Sequence, residues 1–379
     1  MTIERRSIMR ALVVFVLAAV AITVFSAATA QAGEAHDVAA LAHGVATDIA
    51  TPDDIGEPAA GTSPGVTDDQ FDRDNNRVLQ SIVNGVVFGL LLALASVGVS
   101  LIYGTTGLSN FAHGELVSFG AIVTYFLTTQ EPVGLPLIPV EFVIGLPLIY
   151  AAIIGVIVAG AGGWVQDRFL WSQLRRKGIG IVQQMIVSIG LALALVNLLQ
   201  WWIGGGDRRL VTAIDERYQL GPVYLGEQTL ISTIIAVVAL VAVGYFLLFT
   251  RWGRATRAVS DNPALAAASG IKVDAIIRLV WIMSAALAAM GGVLLALYEN
   301  GTAFDAGAKL LMLMFAAVTL GGLGHPFGAL VGSLLIGLAT EMSTLWLAPD
   351  LKVAVALVIL ILVLLVRPQG ILGRAERVG

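Results

Sequence analysis

The residues of this chain best placed to recognise a solute are Asn110, His113 and Glu115, an amide, an imidazole and a carboxylate within six positions. They lie in Tyr103-Gly-Thr-Thr-Gly-Leu-Ser-Asn-Phe-Ala-His-Gly-Glu115, a polar, glycine-punctuated break between two long apolar runs. Irregular polar backbone at membrane depth survives only when buried in protein or facing water, so the break is a candidate pathway element. Two roles are open to its polar residues. Asn110 and His113 can hydrogen-bond the unwound backbone after Gly107 while Glu115 faces the dipole of the following helix, or all three can line a substrate path. Other chemistry is poorly supported. With no cysteine there is no disulfide, thiolate metal site or cysteine nucleophile, and His36, His43, His113 and His325 are too scattered to form a metal cluster. No H-E-x-x-H or G-x-S-x-G arrangement occurs, so the residues call for no enzyme, metal or cofactor.

Composition says what kind of elements must hold the break. The 379 residues are 57% hydrophobic and 13% charged, with mean hydropathy +0.87, and the apolar residues come in long blocks. That pattern predicts an all-α, polytopic helical membrane protein, because a β-barrel would show alternating segments of about ten residues. A net charge of -4 offers no basic surface for nucleic acid. Apolar spans are predicted near Val78–Ile102, Leu108–Leu127, Ile138–Ala161, Ile179–Ile203, Leu230–Phe249, Ala275–Leu297, Leu310–Gly322, Phe327–Leu347 and Val353–Val366. This makes about eight or nine transmembrane helices, two of which, at Leu108 and Leu310, are candidates for half-helices.

The organisation along the chain is read as four parts. Residues 1–32 carry Arg5, Arg6 and Arg10 before an apolar run and Ala30-Gln-Ala32 after it, the pattern of a signal peptide or an N-terminal transmembrane anchor. Residues 33–77 are rich in acids and small residues and are expected to form a disordered extracytoplasmic tail. The membrane domain is placed at 78–373 and a tail at 374–379. Basic residues orient the bundle: Arg168, Arg175, Arg176 and Lys177, then Arg251 to Arg278, then Arg367, Arg374 and Arg377 mark cytoplasmic connections and a cytoplasmic C-terminus. The connections near Glu131, Asp207 to Glu227 and Glu299 to Asp305 then fall outside.

Several smaller signals concern packing and docking. Gly85-x-x-x-Gly89 and Gly328-x-x-x-Gly332 are expected to let helices approach closely, and Gly321, Gly322, Gly324 and Pro326 to permit a tight turn. Glu341 is expected to pair with a neighbouring helix, and Gln183, Gln184 and Asn197 to bond between helices. In the connection after Thr250, Asp261 or Asn262 can cap a short helix with Pro263 in its first turn, and Gly270 can supply its left-handed end. Such a helix suits docking to a soluble partner or serves as a plain surface connector.

Four of these segments together resemble a known family. Gly107-Leu-Ser-Asn-Phe-Ala-His-Gly-Glu115, the Asp261-Asn-Pro263 to Ala268-Ser-Gly-Ile271 loop, Leu320-Gly-Gly-Leu-Gly-His-Pro-Phe-Gly-Ala329 and Arg367-Pro-Gln-Gly-Ile-Leu-Gly373 look like the high-affinity branched-chain amino-acid permeases of ABC importers, in the subunit with the N-F-A-H-G-E signature. The resemblance covers about Val78 to Gly373, while the signal-like start and the acidic stretch depart from it. It implies a translocation subunit in a prokaryotic plasma membrane, without chemistry of its own. The sequence has no G-x-x-x-x-G-K-[ST] loop, so hydrolysis would fall to two cytoplasmic ATPase subunits. The implied partners also include a second homologous permease subunit and an extracytoplasmic binding protein. Asp261, Asn262, Ala268, Ser269 and Gly270 would then belong to the helix that couples to the ATPase. The implied cargo is a branched-chain or other hydrophobic amino acid, with urea or a short amide as the alternative. An ion-coupled secondary transporter, resting on Glu115 and Glu341, is a reading from another class.

Overall fold

A computed structural model describes residues 68–135, 138–211, 217–367 and 369–373. The signal or anchor segment at 1–32, most of the acidic stretch at 33–77 and the tail at 374–379 lie outside the described residues. Helix α1 (Asp68–Thr106) is followed by α2 (His113–Thr128), a hairpin of β1 (Val133–Leu135) and β2 (Ile138–Phe142), and α3 (Leu148–Gln166). A π turn (Asp167–Trp171) carries α3 into α4 (Ser172–Arg176), after which come α5 (Ile181–Ile203) and a second hairpin, β3 (Arg217–Leu220) with β4 (Val223–Gly226). The chain continues through α6 (Glu227–Phe249), α7 (Arg251–Asp261), α8 (Pro263–Ala268), α9 (Val273–Tyr298), α10 (Ala306–Gly321), α11 (Pro326–Ser343) and α12 (Lys352–Val366). Among the described residues six helices are long and apolar enough to cross a membrane, and α10 and α12 are shorter apolar helices.

The expected spans are present with shifted ends, and the shifts have local causes. The largest is at Ile138, which opens a strand of an antiparallel hairpin and not a span. Pro139 and Pro147 cannot sit inside a helix, so α3 starts at Leu148, directly after the second of them. The second hairpin was equally unexpected; its four residues per strand pair in regular register from Arg217↔Gly226 to Leu220↔Val223. Helix α1 begins at Asp68, ahead of the apolar run at Val78. In the compact unit formed by 216–227 with the described residues up to Val83, the Gln80 side chain acts as a strand surrogate for β4. Its Nε2 donates to Tyr224 O at 3.0 Å and its Oε1 accepts from Tyr224 N at 2.8 Å.

In the larger unit (84–215 with 228–379), burial separates inner from outer helices. The apolar window of α1 is 94% buried, whereas that of α5 is 11% buried, so α5 turns most of its surface to lipid or to another protein. Helix α2 lies among α3, α5, α9 and α10, and α10 packs on α11 and α12. No hydrophobic effect drives helices together in lipid, so close backbone packing has to hold them. Gly85 and Gly89 do this as expected: a methyl group on either would sit 2.8 Å from Leu338 Cα or Leu334 Cα of α11. Gly190 on α5 has nothing within 4 Å.

That contrast gives a test of the packing. Gly89→Leu should lower the thermal stability of the detergent-solubilised protein by about 1–3 kcal/mol through overpacking, while Gly190→Ala should leave it unchanged or raise it by about 0.5–1 kcal/mol. Equal effects would show that the α1–α11 contact does not hold the bundle.

Candidate functional site

The break is built by the way α1 ends. The Thr105 and Thr106 hydroxyls bond back to Leu101 O (2.9 Å) and Ile102 O (2.7 Å), and Gly107 takes a left-handed φ of 69°, closing the last turn with its N–H on Tyr103 O. A β-branched or bulky residue would resist that conformation. Asn110 Oδ1 then accepts from Ala112 N at 3.2 Å and forms a turn that launches α2. Phe111 N donates to Ser188 Oγ of α5 at 3.1 Å, which anchors the middle of the break.

Asn110, His113 and Glu115 are 2%, 0% and 2% exposed, so the break is folded into the protein interior. Asn110 bonds the unwound backbone as expected. His113 does not: its Nε2–H donates to Ala95 O of α1 at 3.2 Å. The ring fits there because α1 presents Gly98, where a methyl group would lie 3.1 Å from the imidazole. Glu115 sits in the first turn of α2, near the positive end of the helix dipole. Asn110 Nδ2, His113 Nδ1 and Glu115 Oε2 have no hydrogen-bond partner among the described residues. Buried polar atoms left without partners cost free energy.

The neighbouring Gly114 makes a close helix contact. It meets Gly307 of α10 backbone to backbone, and a methyl group on either would collide with the other's carbonyl. Ser118 Oγ, one turn along α2, accepts from Gly307 N at 2.7 Å. This satisfies one of the donors that every helix leaves unpaired in its first turn. Phe111 and Phe315 add a ring contact at 5.2 Å. Since α2 and α10 each have 16 residues, about 24 Å of rise against a hydrocarbon core of about 30 Å, both are short spans that meet near their starts.

The other glycine-rich turns gather at the far end of α1. A methyl group on Gly104 would lie 2.9 Å from Gly324 O and 2.9 Å from Ser260 Oγ. This puts the start of the break beside the α10–α11 turn and the end of α7. The C-terminal Arg367–Gly373 segment closes on the same turn, with Ile371 N donating to Leu320 O (2.8 Å) and Leu372 N to Gly321 O (3.0 Å). Four stretches far apart in sequence therefore meet at one end of the bundle.

Next to that end stands α8. Thr250 caps α7 by accepting from Gly253 N (2.9 Å), and Asn262, not Asp261, caps α8 by accepting from Leu265 N (2.9 Å). Asp261 is the last residue of α7. After Ala268 and Ser269, Gly270 takes φ 82°, and the bonds Gly270 N to Ala267 O (2.9 Å) and Ile271 N to Ala266 O (3.0 Å) close a Schellman end. Only Ala266 of α8 is buried, and Leu265 is 65% exposed. The helix is rigidly framed yet offers an apolar face.

One residue that matters here, Asp167, escaped the sequence reading. Asp167 is fully buried and binds Arg175 Nη2 at 2.6 Å and Arg278 Nε at 3.4 Å, tying α3 to the start of α9. The π turn inserts a residue between Asp167 and Arg175 and brings the pair onto one face. Both basic connections are thereby joined at one end, where Trp171 stacks on Trp281 at 5.3 Å. An acid just before a cluster of arginines was the available signal. Glu341 does pair outward, with Lys352 Nζ at 2.6 Å. Gln184 and Asn197 do not bond between helices; they bond to Ile179 O and Leu193 O within their own neighbourhood, because α5 has few helices beside it.

Comparison with known proteins fits this geometry. The family described as branched-chain amino acid transport system / permease component matches residues 81–364. The chain is similar to the high-affinity branched-chain amino acid transport system permease protein LivH of Escherichia coli (strain K12), 32% identical over 304 residues that cover 79% of this chain and 96% of that one. LivH of Salmonella typhimurium is 33% identical with the same coverage, and BraD of Pseudomonas aeruginosa is 31% identical over 308 residues, again 79% and 96%. No solved structure matches the chain.

The seat of α10 is testable through one hydroxyl. Ser118→Ala leaves Gly307 N unpaired in the interior and should destabilise the solubilised protein by about 1–3 kcal/mol in thermal unfolding. An unchanged melting temperature would mean that Ser118 does not hold the first turn of α10.

Proposed function

The chain belongs to the family of branched-chain amino acid transport permeases, and from that premise we infer how it works as the permease subunit of a high-affinity ABC importer for these amino acids. It is a multi-pass membrane protein and not an enzyme. In our reading it forms half of a translocation pathway with a second homologous permease subunit. Two cytoplasmic ATPase subunits drive it, and an extracytoplasmic binding protein delivers the amino acid. The N-terminal segment directs export or anchors the chain, and the C-terminus faces the cytoplasm. The basic connections support this orientation, since the two that meet on Asp167 share an end with α8.

The observation that carries the coupling role is the exposed, doubly capped α8. Asn262 and Gly270 fix its ends, so a push on Ala264 to Ser269 moves the helix as a unit. Such a push passes to α9 through Ile271 and to the α10–α11 turn through Ser260 and Gly104. Closure of the ATPase dimer would in this way shift the bundle between inward- and outward-facing states by rigid-body movement. Asn110, His113 and Glu115 are assigned the inner part of the pathway, where their unpaired atoms find partners as the bundle shifts.

The test uses the reconstituted complex with its binding protein. Wild type should import labelled leucine and not labelled urea. Leu265→Asp should cut leucine uptake at least tenfold while ATP hydrolysis persists and the unfolding free energy stays within the ±0.5 kcal/mol expected of a surface change. Urea uptake without leucine uptake would overturn the substrate assignment. Normal coupled uptake by the variant would overturn the role of α8.

A further inference from the structure

A cavity of ≈ 620 Å³ opens at the end of the bundle opposite α8. Helix α9 begins beside α8 and runs 26 residues, about 39 Å, before reaching Glu299 on the cavity wall. The size is within the roughly 300–1,000 Å³ of small-ligand sites. One part of the lining is apolar, from Phe88 of α1, Leu310 and Leu313 of α10, and Val353 of α12. The remainder carries both signs of charge, the acids Glu299 and Asp207 and the bases Lys309, Lys352 and Arg209, among small and polar residues.

The charged groups are held but not used up. Lys352 binds Glu341 at 2.6 Å and Lys309 binds Asp305 at 3.0 Å, and each ammonium keeps further N–H donors for another carboxylate. Glu299 makes no ion pair among the described residues. Desolvation raises its carboxyl above the ordinary range, Lys352 and Lys309 oppose this, and Glu341 adds to it. An ammonium group beside it would restore the charged form. The wall is also fixed in place: Arg208 and Thr302 exchange both backbone bonds at 2.8 Å, and between Glu299 and that bridge Asn300 holds a left-handed φ of 57°. This is the left-handed end of α9, with Asn300 N donating to Leu297 O and Gly301 N to Ala296 O at 2.8 Å.

We propose that this cavity binds the free amino acid as a zwitterion, its carboxylate toward Lys309 and Lys352, its ammonium toward Glu299, and its aliphatic side chain against Phe88, Leu310 and Leu313. A lone anion or cation would meet one favourable and one repulsive set of charges. Urea would use neither set. The cavity continues onto the first turns of α10, the helix seated on Gly114, so the site leads toward the break. The proposal rests on the branched-chain amino acid reading and adds the residues that receive the substrate on the delivery side.

The experiment is photolabelling of the reconstituted complex with a diazirine analogue of leucine that keeps both backbone charges. Label should fall on peptides containing Phe88 or Leu310–Leu313. Excess leucine should displace it, and isoamylamine, which lacks the carboxylate, should not. Glu299→Gln and, independently, Lys309→Gln should each lower the label at least tenfold; both residues are at the surface of the cavity and neither substitution strands a fully buried partner. Label elsewhere, or undiminished label in both variants, overturns the site. Leucine uptake measured in the same vesicles separates the two claims. Uptake without cavity label removes the site alone, and cavity label without uptake removes the transport reading alone.

Discussion

Helix backbones touch most readily where both partners give up their side chains, and Gly114 and Gly307 do this at the start of α2 and α10. Much of the arrangement follows from it. Because α2 starts only after the break, its first turn is free to meet that of α10, and Ser118 completes the contact by taking the Gly307 N–H. The same seat sets where Lys309, Leu310 and Leu313 stand. Any side chain at either glycine would separate the helices and move the wall that carries these residues.

The opposite end is held by different means. Gly104, Gly324 and Ser260 come within contact distance, the Arg367–Gly373 segment hydrogen-bonds the α10–α11 turn, and Asp167 collects two arginines from separate connections. A buried carboxylate with two cations is costly to desolvate, and removing one partner is costlier still. This end is therefore a stiff frame around α8, joined to the cavity end through α1, α9 and α10. Movement imposed at α8 has continuous helices to travel along, which is what a transporter driven from one face requires.

Much of this was legible in the sequence because membrane helices write themselves in long apolar runs. The spans, the capped α8 and the Gly85–Gly89 face all follow from local rules of hydropathy, capping and side-chain size. The family, too, rested on four short segments. What the sequence left out is tertiary. Nothing local tells that His113 reaches back to Ala95, that Gly114 finds Gly307, or that Asp167 gathers Arg175 and Arg278 across a π turn. Both hairpins were missed for another reason: strands of three to five residues carry too little periodicity beside a strong helical signal, although Pro139 and Pro147 did mark where α3 could not begin.

We propose that one end of the bundle couples and the other receives, on opposite sides of the membrane. The chain has no cysteine, so single cysteines report without background. Lys309→Cys on the cavity and Leu265→Cys on α8 should be exposed to a membrane-impermeant maleimide in intact cells carrying the assembled importer. The cysteine at 309 should react from outside and the one at 265 only after permeabilisation; reaction of both from the same side would rule this arrangement out.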